Sequence, residues 1–233
     1  MSNPRYPELK PLSFKALGAL IDYPQAETVE ALDAIEAVLA NDEILPRGVR
    51  FDLAALIETL RRGDLIDLQE EWLALFDRSR ALSLHLYQHV HGESRDRGQA
   101  MVSLGQLYAA HGLELTASEL PDYLPVLCEF LACVPAEVSL PILADAAHIL
   151  EAVRTRLERK ESPYAAVFAG LRALAPAEVD PAKLAGVIEA DRIEDAKDLS
   201  ALDEEWEEKP VTFGPGDAAC PKLRHPPVRP AAA

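Results

Sequence analysis

Through "AETVEALDAIEAVLA" (26–40) the apolar residues Val29, Leu32, Ile35 and Leu39 recur every three or four positions, with Glu and Asp between them. That spacing places the apolar side chains on one face of an α-helix and the acids on the other, which predicts a surface helix packed on a core. The same period runs through "FDLAALIETLRR" (51–62) and "DLIDLQEEWLALFD" (64–77). Between them, Gly63 ends one helix and Asp64 caps the next. Earlier, Leu12, Leu17, Leu20 and Ile21 mark a short helix that stops at "DYP", because the residue before Pro24 is pushed out of the α region. The strongest stripe starts at Ile142 and runs through Leu143, Ala146, Ile149, Leu150, Val153 and Leu157. Its cationic end, "RTRLERK", suits the negative pole of a helix. Further starts are expected at Ser94, at Ser162 before Pro163, at Asp180 before Pro181, and in the proline-led "LPDYLPVLCEFLA". No strand-length alternation and no internal repeat interrupts this pattern. The expectation is an all-α fold of nine or ten helices within one domain over residues 1–188.

Composition changes the picture mainly towards the C-terminus. Residues 189–209 hold ten acids against three bases, nearly half of the net charge of −16. This reads as a solvated, partly helical acidic segment. Beyond it, residues 210–233 are rich in Pro, Gly and Ala with few large apolar groups, and such a tail does not offset its own ordering entropy. A flexible tail is expected there. So acidic a chain, with no basic run longer than Arg61-Arg62, is a poor match to a phosphate backbone and a better one to a basic peptide. Neither a signal peptide nor an apolar run long enough to span a membrane is apparent, which predicts a cytoplasmic protein without direct membrane insertion. Cys128, Cys133 and Cys220 read as reduced thiols, the first two as small buried hydrophobes in "VLCEFLACV". Cys220 and His225 are two ligands, too few for a metal site.

Chemistry, if any, should concentrate in "LHLYQHVHGESRDRGQAM" (84–101). His85 and His89 stand four apart and share a face if the stretch is helical, with His91 just before the expected helix end at Gly92. A catalytic zinc or iron site takes three protein ligands with supporting partners, and "HLYQH" lacks the glutamate that HExxH places beside its first histidine. Histidines lining a groove or packed at a helix end are the plainer reading. A metal-dependent helical enzyme built on His85, His89 and His91 stays open. Arg95 and Arg97 fall in the first turn of a helix, where cations oppose the macrodipole. Either they join a structural network with Glu93, Asp96 or distant acids, or they offer forked donors to a partner. Gly98 costs a helix roughly 1 kcal/mol relative to Ala, which points to close approach by a helix or a peptide. Dinucleotide, phosphate-loop, nucleophile-elbow and paired CxxC motifs are lacking, so no enzyme is expected.

Three strings together, "WLALFD" (72–77), "HVHGESRDRGQAM" (89–101) and "ELPDYLPVLCEFLA" (119–132), with "YP" closing the first helix, resemble the respiratory nitrate reductase assembly chaperones of the NarJ type, within the wider TorD-like family. The resemblance covers approximately residues 14 to 175. It implies a helical TorD-like chaperone domain without catalysis or a stably bound cofactor. Its implied partner is the molybdenum-containing catalytic (alpha) subunit, held in the cytoplasm through its N-terminal peptide, which is often a twin-arginine signal or its remnant. It also implies help with molybdenum cofactor insertion before membrane docking, and admits molybdenum cofactor biosynthesis proteins as further partners. The family's aromatic-x-x-Leu-Phe signature falls on Trp72, Leu75 and Phe76. Its Glu-x-Pro-Asp-His-like signature falls on Glu119, Pro121 and Asp122, with Tyr123 in place of the histidine. The expected client groove involves Trp72, Leu75, Phe76, Tyr87, His89 and Tyr123, with Arg95, Arg97, Glu119 and Asp122 orienting groove or client. A permanent structural subunit of a membrane reductase is the remaining alternative.

Overall fold

Helix α1 (Pro11–Ile21) lies at the centre of the molecule, because almost every residue in it is apolar and Phe14, Leu17, Leu20 and Ile21 are fully buried. The computed structural model describes residues 11–78, 80–91, 95–115, 119–176, 178–182 and 184–189. The chain divides into a compact unit, Met1–Ala196, and a second unit, Lys197–Ala233. The acidic segment from residue 190 and the expected tail lie outside the described residues.

After α1 come α2 (Ala26–Glu30), α3 (Leu32–Ala40), α4 (Arg47–Arg62), α5 (Leu65–Phe76) and a 3-10 turn at Arg80–Leu82. Then follow α6 (Leu86–His91), α7 (Arg95–Ala110), α8 (Leu124–Cys133), α9 (Ala136–Arg159) and α10 (Ala165–Leu174). The fold is all-α, as expected, with ten α-helices and no strand among the described residues. No described helix is long and apolar enough to cross a membrane.

Helix α1 packs against α8, α10 and α3, while α9 runs along α10 and α4 closes over α3 and α10. Two glycines set the spacing around α1. A Cβ on Gly18 would stand 2.7 Å from Cys128 Cβ on α8, and one on Gly170 of α10 would stand 3.0 Å from Leu17 Cδ2. Cys128 on α8 therefore packs directly on the α1 backbone at Gly18, and the Leu17 side chain on the α10 backbone at Gly170, more closely than larger residues allow.

Local signals account for most boundaries. Asp64 caps α5 by accepting the Ile66 N–H at 2.9 Å, and Asp180 accepts the Ala182 N–H at 2.9 Å. Other expectations need correction. The single helix expected over 26–40 is two, parted at Ala31, which takes ψ −3°. Helix α9 starts at Ala136, six residues before the apolar stripe, and carries Pro141 inside. The ring removes the N–H that would reach back to the Glu137 carbonyl and crowds that carbonyl, one turn into a long helix. Ser162 does not cap α10. Its Oγ is buried without a partner, and the Ala165 N–H turns back to the Ser162 carbonyl at 3.1 Å instead. Cys128 is fully buried, but Cys133, at the end of α8, is exposed. Gly98 is exposed with nothing within 4 Å of its would-be Cβ, so among the described residues no close approach requires it. The proposed cap at Ser94 lies outside the described residues.

Candidate functional site

Just before α6 and α8 the chain runs antiparallel to itself. The Leu86 N–H donates to the Asp122 carbonyl at 3.1 Å and the Leu124 N–H to the Leu84 carbonyl at 2.9 Å, pairing His85 with Tyr123. His85 thus precedes α6 rather than lying on it, so it does not share a helical face with His89. The two imidazoles have separate partners. His85 Nδ1 lies 3.3 Å from Asp122 Oδ1, whereas His89, 4% exposed, donates from Nε2 to the Ser83 carbonyl at 2.8 Å. The side chain of His91 lies outside the described residues. Among the described residues no group of three or more His, Cys, Asp or Glu could hold a metal ion.

The pairing buries Asp122 completely. A buried carboxylate must be compensated. Its Oδ1 faces His85, its Oδ2 accepts the Tyr87 N–H at 3.2 Å, and Arg97 Nη2 stands 3.8 Å from Oδ2. Burial pushes the Asp122 pKa up, but the His85 hydrogen bond and charge, Arg97 and the Tyr87 N–H together outweigh it and hold the carboxyl below its ordinary value. Arg97 thus joins a distant acid, the structural-network branch of the two readings. Next door, the Tyr123 hydroxyl donates to Asp22 Oδ1 at 2.8 Å, locking the start of α8 to the end of α1.

Trp72 and Phe76 belong to a different part of the molecule. The Trp72 indole N–H donates to the Ile21 carbonyl at 2.9 Å. Ring contacts run from Tyr23 to Trp72, Phe76 and Tyr164, with centroids 5.3–5.4 Å apart. With 8% and 6% exposure, Trp72 and Phe76 clamp α5 to the end of α1 and the start of α10, and Leu75 is partly buried beside them. Glu119 and Arg95 are exposed.

A cavity of about 400 Å³ opens between α6, α7, α8 and α9. Leu86, Tyr87 and Val90 come from α6, Ser103, Leu104 and Leu107 from α7, and Leu127 from α8. Helix α9 gives Ile142, Asp145, Ala146, His148 and Ile149, and Asp122 sits at the floor. Its size and largely apolar wall with few polar groups fit a binding groove. Of the residues singled out from sequence, Tyr87 and Asp122 line it. Burial, then Asp122 and Asp145, push the Tyr87 phenol above its ordinary value. Sequence reasoning missed Val90, Ser103, Leu104 and Asp145. The sequence offered no clear signal for them, because the exposure of Val90 on the short α6 is a property of the fold.

Residues 42–170 match the family model described as nitrate reductase delta subunit. The chain is 41% identical over 204 residues, 86% of each chain, to the nitrate reductase molybdenum cofactor assembly chaperone NarJ of Escherichia coli strain K12. It is 36% identical over 199 residues, 85% of this chain and 82% of the other, to a protein of the same strain named as a probable chaperone of that kind, NarW. A crystal structure of a candidate redox enzyme maturation protein from Archaeoglobus fulgidus superposes with a TM-score of 0.54 at 22% identity, covering 74% of this chain and 97% of that one. At that identity the superposition speaks for the fold alone.

Proposed function

The chain belongs to the nitrate reductase delta subunit family, and from that premise we propose that it is an assembly chaperone for a respiratory nitrate reductase. In this reading it binds the apo catalytic (alpha) subunit in the cytoplasm through that subunit's N-terminal peptide. The peptide lies as an amphipathic helix in the groove between α6, α7 and α9, its apolar face against Leu86, Leu104 and Ile149. Holding the client open allows molybdenum cofactor to be inserted before the complex docks at the membrane. The cofactor is cargo of the client, and the chaperone performs no covalent chemistry.

The observation that carries the proposal is the groove itself, an apolar channel with acids at floor and wall in a chain of net charge −16. An apolar channel with an exposed acid on its wall, in so acidic a chain, suits a client segment with apolar and basic faces. Trp72 and Phe76 act behind it by fixing the helices, and Arg97 and His85 by holding Asp122 in place.

Ser103, exposed on α7 at the groove wall, gives the test. Ser103→Trp fills the channel without entering the core. The expected result is lost binding of the client's N-terminal peptide in calorimetry, and a catalytic subunit purified from cells carrying this variant with little molybdenum. Full molybdenum content in cells lacking the chain altogether would overturn the chaperone role. Undiminished peptide binding by a folded Ser103→Trp would overturn the groove assignment.

A further inference from the structure

Two carboxylates face the groove, and they are not equivalent. Asp122 is fully buried and already compensated by His85, Arg97 and the Tyr87 N–H. Asp145 is exposed on the α9 wall, and among the described residues no ion pair or hydrogen bond engages its carboxylate. Its electrostatic neighbour is the Tyr87 phenol across the groove, which it disfavours ionising. Ile142 lies three residues before Asp145 and Ile149 four residues after, so all three share the groove-facing stripe of α9. Along the wall the order is apolar, acid, apolar, with about one helical turn between steps.

We propose that Asp145 is the residue that reads charge in the client, pairing with one Lys or Arg that the bound helix presents between two apolar anchors a turn to either side. This deepens the groove reading above and rests on it. The geometry separates two duties that a sequence alone merges. Asp122 holds the groove's floor together, while Asp145 has its charge in hand for a partner. A client cation that settles against Asp145 also loses part of its water as the peptide covers the groove, so the pair outweighs a fully solvated surface contact.

The experiment uses the full chain and the fluorescently labelled N-terminal peptide of the nitrate reductase catalytic subunit, with affinity read by anisotropy at low salt. Asp145→Asn is expected to weaken binding about fivefold, the scale of one partly exposed ion pair. That loss should vanish against a peptide in which one particular Lys or Arg is replaced by Gln, and persist against peptides altered at the other cations. Equal affinity of Asp145→Asn and the native chain, with Ser103→Trp still abolishing binding, would overturn the charge-reading role and leave the groove standing. Binding that survives Ser103→Trp would overturn both.

Discussion

Asp122 shows how one residue can look like a site and serve as a foundation. Its carboxyl pKa is held below the ordinary value by His85, Arg97 and the Tyr87 N–H despite burial. A carboxyl so lowered contributes stability that is fully present above the unfolded-state value, about 3.9, and is lost as pH falls through the folded value. The native chain should therefore lose urea stability on acidification below about pH 4 more steeply than Asp122→Asn, which keeps only the contribution of other lowered carboxyls such as Glu151. At neutral pH, Asp122→Ala should cost about 3–5 kcal/mol, because it removes the buried carboxylate that the Tyr87 N–H, His85 and Arg97 all face. Parallel slopes in the native chain and Asp122→Asn would deny the compensation seen in the geometry. Trp72 makes the complementary case. Its truncation to Ala should cost about 3–5 kcal/mol through the lost ring contacts and the unpaired Ile21 carbonyl, yet leave peptide affinity per folded molecule unchanged. Weaker binding by the folded fraction would move Trp72 from the core to the groove. Both residues were visible in the sequence as members of short signatures. Their duties were not, because a signature marks residues that must stay and says nothing of which neighbour each one meets.

At the scale of helices, legibility followed the apolar period. Helices α4, α5 and α9 were readable because Leu53, Leu56, Ile57 and Leu60, or Leu143, Leu150, Val153 and Leu157, repeat with the turn and are all buried. Boundaries set by backbone turns, such as Ser162 at α10, or by a tolerated proline, such as Pro141 in α9, carry no side-chain signal and were misplaced. Glycines divided in the same way, since close approach depends on an element far away in sequence. Gly18→Ala should cost about 1–3 kcal/mol, because its Cβ meets Cys128 on α8 and α1 has packed neighbours on both sides. Gly98→Ala should instead stabilise by up to about 1 kcal/mol, its position being helical, exposed and open. Denaturant midpoints of the two variants should move in opposite directions. A loss of stability at Gly98 would mean that something packs there after all.

The whole molecule brings together what no single stretch contains. Tyr87, Leu104, Asp122 and Asp145 come from four separate segments, and the groove exists only once the 84–86 and 122–124 strips pair and set α6 beside α7 and α9. Sequence therefore revealed the helical class and the family resemblance, but only the floor and one wall of the cavity. Around that local site acts the charge of the entire chain, −16, which on the chaperone reading proposed above acts on a client before any contact forms. A basic peptide should be drawn in by that field and held by the apolar wall, and the two effects separate by salt. Raising salt from about 0.01 M to about 0.15 M shortens the screening length from roughly 30 Å to roughly 8 Å, which removes long-range attraction and leaves contact burial nearly intact. Stopped-flow binding should accordingly show an association rate that falls about tenfold or more over this range, while dissociation changes much less. Dissociation that speeds up as strongly as association slows would place the holding energy in charge pairs rather than in Leu86, Leu104 and Ile149. Where the apolar wall holds the peptide, Asp145→Asn should divide its roughly fivefold loss of affinity between a slower association and a faster dissociation, since it removes one charge of the field and one contact of the wall.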